Sequence, residues 1–124
     1  MNPLNNGDKP LYLQIKELIE DQIVNEQLLE GSQAPSTNQL VKFYGLNHVT
    51  VAKGINLLVD DEILFKKRGI GMFVSEGAKE KLINSRKSEF VDKYVLKMVQ
   101  EADRLGISED ELIQFVRNMK KGEG

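Results

Sequence analysis

Residues 35–74 carry a dense run of backbone stops and starts that leaves this stretch few ways to fold. Pro35 interrupts what precedes it. Ser36 followed by Gln39 is a capping box, which opens a helix by satisfying its orphan N–H groups. In the short helix that follows, Leu40, Val41 and Phe43 or Tyr44 are the inward positions. Gly45 ends it where left-handed backbone is needed. Asn47 is placed to cap a second helix over 48–60, with Val51, Ile55, Leu58 and Val59 as its buried stripe. Two short helices joined by a turn at 45–47 form a helix-turn-helix unit. Residues 63–74 then change period: β-rich runs flank a turn with Gly69 and Gly71, which reads as a hairpin with a basic tip at Lys66, Lys67 and Arg68. A helix-turn-helix followed by a hairpin is a winged helix.

The flanks are helical. Over 11–29, Tyr12, Ile15, Ile19 and Ile23 fall three and four apart, with Asp8 as the expected cap and Pro10 in the first turn. Gly54 interrupts the 48–60 helix at a cost of about 1 kcal/mol against alanine, which points to close packing on a neighbouring helix. Residues 78–105 lack proline and glycine and read as one helix. Along it Val91, Val95, Met98, Ala102 and Leu105 follow a 4-3-4-3 heptad spacing. Gly106 breaks the helix, and Ser108 with Glu111 forms a second capping box that opens a last helix through Met119. The expected architecture is mainly α with a small β-wing: a winged helix-turn-helix domain over 1–76 and a two-helix dimerisation tail over 77–124. The expected tail interface is Val91, Val95, Met98, Ala102, Leu105, Leu112 and Val116, with Met119 extending it. A seam this short can also pack on its own domain.

Composition excludes several classes. The chain of 124 residues has no cysteine and one histidine, so disulfides, cysteine-based metal sites and multi-histidine sites are ruled out. No apolar run reaches the length of a membrane span, and MNPLNNGDKP is not a signal peptide. A cytoplasmic protein with no membrane partner, cofactor or metal is expected. There is no Ser/His/Asp set and no phosphate loop, and the Gly69-x-Gly71 pair sits in a hairpin, so no enzymatic activity is expected.

The net charge of −2 is not that of a basic nucleic-acid binder, so charge placement has to carry the argument. From 38 to 60 the only charged residues are Lys42, Lys53 and Asp60, whereas within the first 75 residues the acids fall mostly at 17–30 and 60–62. A helix that enters the major groove must present small and polar side chains to base edges. Opposite its apolar stripe, the 48–60 helix carries His48, Val49, Ala52, Lys53 and Asn56. His48 and Asn56 suit base edges, Thr50 and Lys53 suit phosphates, and Val49 and Ala52 suit thymine methyls. The bland readings are a first-turn histidine, an unpartnered threonine and a solvated basic hairpin. The alternative function is a winged-helix module that binds protein, whose mark is an exposed apolar recognition face.

Four motifs stand in order over residues 10–75: Pro10-Leu11-Tyr12-x-Gln14-Ile15, Pro35-Ser36-x-x-x-Leu40, Asn47-x-x-Thr50-Val51, and Lys67-Arg68-Gly69-Ile70-Gly71-Met72-Phe73-Val74. Together they resemble the GntR family of bacterial regulators, and the short tail resembles its YtrA subfamily. The resemblance implies a homodimeric transcriptional regulator, acting as a repressor, on double-stranded DNA with a palindromic operator. It implies DNA contacts at Ser36, Thr37, Asn38, Asn47, His48, Val49, Thr50, Ala52, Lys53, Lys67, Arg68 and Gly69. The family often carries arginine where this chain has Asn38, His48 and Ala52; Thr50 and Gly69 match. Whether a small-molecule effector acts on the chain is left open.

Overall fold

A computed structural model describes residues 8–122. Helix α1 (Leu11–Val24) starts from Pro10, whose extended backbone lets its carbonyl accept the N–H groups of Leu13 and Gln14. No side chain caps this helix, so the expected role of Asp8 is not seen. Ile15, Ile19 and Ile23 form its buried stripe. The helix ends five residues before the expected 29 because that stripe runs out. The next inward positions are Glu26 and Gln27, which have nothing apolar to bury. Glu26 instead turns left-handed at φ 60, and the N–H groups of Gln27 and Leu28 both close on the Gln22 carbonyl.

Helix α2 (Thr37–Tyr44) has the full capping box: the Ser36 hydroxyl accepts from the Gln39 N–H at 3.0 Å, and the Gln39 side chain accepts from the Ser36 N–H at 2.8 Å. Leu40 is its buried residue, and Tyr44 packs at the margin of the core. Phe43, left open between the two aromatic positions, faces outward at 75% exposure. Gly45 takes φ 65 at the C-terminus. Helix α3 (His48–Asp60) is capped by Asn47, whose Oδ1 accepts from the Val49 N–H at 2.7 Å. Val51, Ile55 and Leu58 enter the core, and Val59 lies at its margin.

The wing is an antiparallel pair, β1 (Leu64–Lys67) and β2 (Gly71–Val74), with Leu64 opposite Val74 and Phe65 opposite Phe73. Period-two alternation sends Leu64 and Val74 into the core and the two phenylalanines to the other face. A short segment, 31–34, runs against β2 and bridges it at Gln33 opposite Phe73. Gly31 and Ala34 donate to the carbonyls of Val74 and Met72, and Val74 donates to Ser32. Segment 31–34 is too short and too polar to announce itself by periodicity.

The core joins these elements: Ile15, Ile19 and Ile23 meet Leu40, Val51, Ile55, Leu58, Ile63, Leu64 and Val74. Each fully buried aliphatic side chain contributes about 1.5–3 kcal/mol relative to exposure. Ala78 and Leu82, from the start of α4 (Ala78–Phe90), join the same cluster. Accordingly the chain divides into two compact units between Asn84 and Ser85, inside α4 and later than the expected boundary at 76. The N-terminus of α4 is capped from a distance: the exposed Glu30 carboxylate accepts the Gly77 N–H at 2.9 Å and the Lys79 N–H at 3.2 Å.

In the second unit the helix does not run straight through. Val91–Val95 form a π turn before α5 (Leu96–Leu105), so the heptad spacing meets one wider turn at its start. The result is a broad exposed apolar surface rather than a narrow seam: Phe90, Val91, Tyr94, Leu96, Met98, Val99 and Leu105 are all exposed, and Val95 is half-buried. Ala102 is instead buried. Gly106 at φ 69 turns the chain, and the Ser108–Glu111 capping box opens α6 (Glu109–Lys120), where Val116 is exposed and Leu112 half-buried.

Two outcomes are expected. A Cβ at Gly54 would lie 2.6 Å from the Tyr12 carbonyl oxygen and 3.1 Å from Ile15 Cβ. Gly54→Ala should therefore lose about 1–3 kcal/mol by overpacking, outweighing the roughly 1 kcal/mol that alanine offers a helix, and its urea midpoint should fall. The second concerns acid. The backbone N–H groups of Gly77 and then Lys79, with the Lys79 charge, hold the Glu30 carboxyl below its ordinary value of 4.5. A depressed folded value means that the cap stabilises above the unfolded value and is lost as pH falls through the lowered one. The stability gap between wild type and Glu30→Gln, followed by thermal melts, should be open at neutral pH and close on acidification.

Candidate nucleic-acid interface

The outward face of α3 is set by its inward one. With Val51, Ile55 and Leu58 committed to the core, helical geometry turns positions 48, 49, 52, 53 and 56 away from it. His48, Val49, Lys53 and Asn56 are exposed, Val49 at 75%, while Thr50 and Ala52 are half-buried at the flank. No carboxylate lies on α2, and none lies on α3 before its last residue, Asp60. The N-terminal half of α3 thus presents small and polar groups, the exposed Val49 and the single cation Lys53 beside its N–H dipoles, and the acids collect at the far end in Asp60, Asp61 and Glu62.

Two of the expected contact residues already have structural work. The Ser36 hydroxyl and the Asn47 carbonyl oxygen are spent as helix caps. Asn38 is exposed near the start of α2, and Thr37 is half-buried beside it. Lys53, though exposed, lies over a ring: its ammonium is 4.0 Å from the centroid of the Tyr12 ring. The sequence places Tyr12 in the apolar stripe of its helix and in the first family motif, and no one-dimensional signal links it to a residue 41 positions on.

The wing tip carries Arg68 and Gly69, both exposed, in a turn closed by the Ile70 N–H on the Lys67 carbonyl. Gly69 has φ 79 with open space around its missing Cβ. Gly71 is the more constrained glycine. At φ 143 it holds backbone that L-residues rarely adopt, and a Cβ there would meet Gln33 Nε2 at 2.6 Å. The same amide nitrogen donates to the Ile70 carbonyl at 3.1 Å and braces the tip from segment 31–34. Below the tip the Phe65 and Phe73 rings stack at 5.9 Å, and the Lys67 ammonium lies 4.4 Å from the Phe73 centroid. Lys67 is therefore held along the wing, whereas Arg68 projects. Gln33 and the phenylalanine pair were not anticipated; the placement of Phe65 and Phe73 about the turn was the available signal for the pair.

Residues 11–74, which carry all of this geometry, match the profile of bacterial regulatory proteins of the gntR family. The chain belongs to the GntR family. The GntR regulator from Bacteroides thetaiotaomicron has a similar solved structure, with a TM-score of 0.80 and 31% identity over 91% of this chain and 99% of that one. The DNA-binding domain of AraR, solved in complex with operator ORX1, superposes with a TM-score of 0.53 at 32% identity, covering 60% of this chain and 90% of that chain. Among curated relatives, the mannosyl-D-glycerate transport/metabolism system repressor MngR of Escherichia coli K12 is 37% identical over 70 residues, 56% of this chain. This chain spans 29% of the length of MngR. Among the described residues no helix is long and apolar enough to cross a membrane, and no cluster of three potential metal ligands occurs.

The wing geometry yields a direct expectation. Gly71→Ala should cost about 1–3 kcal/mol through its backbone conformation. Gln33→Ala, which removes only the brace, should cost less; chemical denaturation of the two variants measures the difference.

Proposed function

We propose that this GntR protein is a sequence-specific DNA-binding transcriptional regulator, acting as a repressor, that works as a homodimer on a palindromic operator. The observation that carries the reading is the α3 surface: a face of small and polar side chains with the exposed Val49 and no carboxylate before Asp60, on a domain that also carries a basic wing and resembles one solved on operator DNA. In this reading His48, Asn56 and Asn38 face base edges. Val49 and Ala52 contact thymine methyls. Thr50, Lys53, Lys67 and Arg68 meet phosphates, and Gly69 lets the wing approach the minor groove closely. Ser36, Thr37 and Asn47 hold the helix starts against the backbone.

The architecture of a winged domain and a short helical tail supports a YtrA-like assignment, as does the near-complete overlap with the B. thetaiotaomicron regulator. One chain carries one recognition helix, whereas a two-fold operator needs two, about 34–36 Å apart or a multiple of it. Tethering makes the second contact intramolecular and raises the affinity without new contacts. The exposed apolar surface of the second unit, with Val91, Val95, Met98, Leu105, Leu112 and Val116, is the dimerisation surface in this reading. Ala102 is already buried within the chain and is not part of the exposed surface. Regulation, not catalysis, is the activity.

The test is binding of the purified chain to duplex DNA from upstream of its own gene, against a scrambled duplex, across a salt series, with sedimentation in parallel. A micromolar dimer with a steep salt slope and a clear preference for the upstream duplex is expected. Val95→Asp should bury an unpaired charge in the interface and yield folded monomers with much weaker operator binding. A wild type that is monomeric, or that binds both duplexes equally, would sink the proposal.

A further inference from the structure

We infer that Tyr12 is a positioning residue for DNA binding: its ring seats the Lys53 ammonium at the edge of the recognition helix before DNA arrives. The inference rests on the reading that the outward face of α3 meets DNA. Apart from Asp60 at its end, Lys53 is the only residue of α3 with a fixed charge. Its ammonium lies 4.0 Å from the Tyr12 ring centroid, and among the described residues no carboxylate pairs with it. That distinction matters electrostatically. A carboxylate partner would cancel the charge and would have to be displaced by a phosphate. A ring face attracts the cation through its quadrupole and leaves the full positive charge for the DNA.

The seat is built by backbone packing. Gly54, the residue after Lys53, lets α3 approach the Tyr12 carbonyl so closely that a Cβ would stand 2.6 Å from it. This contact sets the separation of the two helices where the side chains of Lys53 and Tyr12 meet. Position 53 also shares a helical face with Val49, Ala52 and Asn56, so a lysine held there flanks the residues proposed to read bases. A free lysine has four rotatable bonds and loses their entropy on binding. A lysine already lying on a ring has lost part of it in the free protein.

The test combines Tyr12→Phe, Tyr12→Leu, Lys53→Met and the Tyr12→Leu/Lys53→Met double variant. Each is checked for an unchanged melting transition and titrated against the upstream duplex over a salt series. Lys53→Met should weaken binding and reduce the slope of log K against log salt by about 0.9, the share of one phosphate. Tyr12→Phe should retain wild-type affinity. Tyr12→Leu should lose about three- to tenfold, the scale of a cation–π contact at a partly exposed site, and should add nothing further when Lys53 is already methionine. In the free protein, the ring should shift the Lys53 ε-methylene resonances upfield, and Tyr12→Leu should abolish that shift. Three results would overturn the positioning role: full affinity in Tyr12→Leu, equal losses from Tyr12→Leu with and without Lys53, or equal losses from Phe and Leu. An unchanged affinity and slope in Lys53→Met, with the ring-shifted resonances present, would instead overturn the assignment of this face to DNA and the inference with it.

Discussion

The approach of α1 to α3 at Gly54 sets the geometry on which the rest of the winged domain depends. A glycine in the middle of a helix is unfavourable in isolation, so its presence needs a compensating contact. Here the compensation is steric: the Tyr12 carbonyl and the Ile15 side chain occupy the space a methyl group would need. The resulting separation lets Ile15, Ile19 and Ile23 interleave with Val51, Ile55 and Leu58. Once α3 is pressed against α1 by that face, its opposite face is committed to solvent. The outward face of α3 is thus a consequence of packing, and the small residue that permits the packing lies on the opposite side.

The wing is held on the same body by a second device. Leu64 and Val74 anchor its base in the core, and segment 31–34 pairs with β2 through backbone hydrogen bonds. Gln33 reaches from that segment to the Ile70 carbonyl, in space that only a glycine at 71 leaves open. The chain's acidity is reconciled with its basic surfaces by segregation. Glu17 and Glu20 are paired with Lys9 and Lys16, Glu30 is spent capping α4, and the acids of α6 sit in its first turn, where they complement the helix dipole. The Lys9–Glu17 pair is open to solvent and contributes little stability, whereas Glu20 is buried beside Lys16.

The second unit shows how a local irregularity changes a surface. Five residues wound as a π turn shift the phase between Val91 and the residues of α5. A strict heptad would have produced one stripe; the phase shift spreads apolar side chains over a wider front. Such a front suits a helical cluster better than a long two-stranded coil.

Much of this molecule was legible in one dimension because its determinants are local. Capping boxes at Ser36 and Ser108, the Asn47 cap, and the left-handed glycines at 45 and 106 act within four residues of themselves. The bounds of α2 and α3 and the hairpin at 64–74 therefore follow from the sequence by itself, as do the family resemblance and the outward residues of α3. The early end of α1 was legible too, in the polar residues at 26 and 27, but it was masked by Leu28 and Leu29. What only the tertiary structure decided are the contacts between segments distant in the chain. These are Lys53 on Tyr12, Gln33 under the wing, Glu30 at the start of α4, and the backbone pairing of 31–34 with β2. Each rests on a single side chain or a few backbone groups brought together by the common core, and such encounters leave no periodicity for the sequence to display.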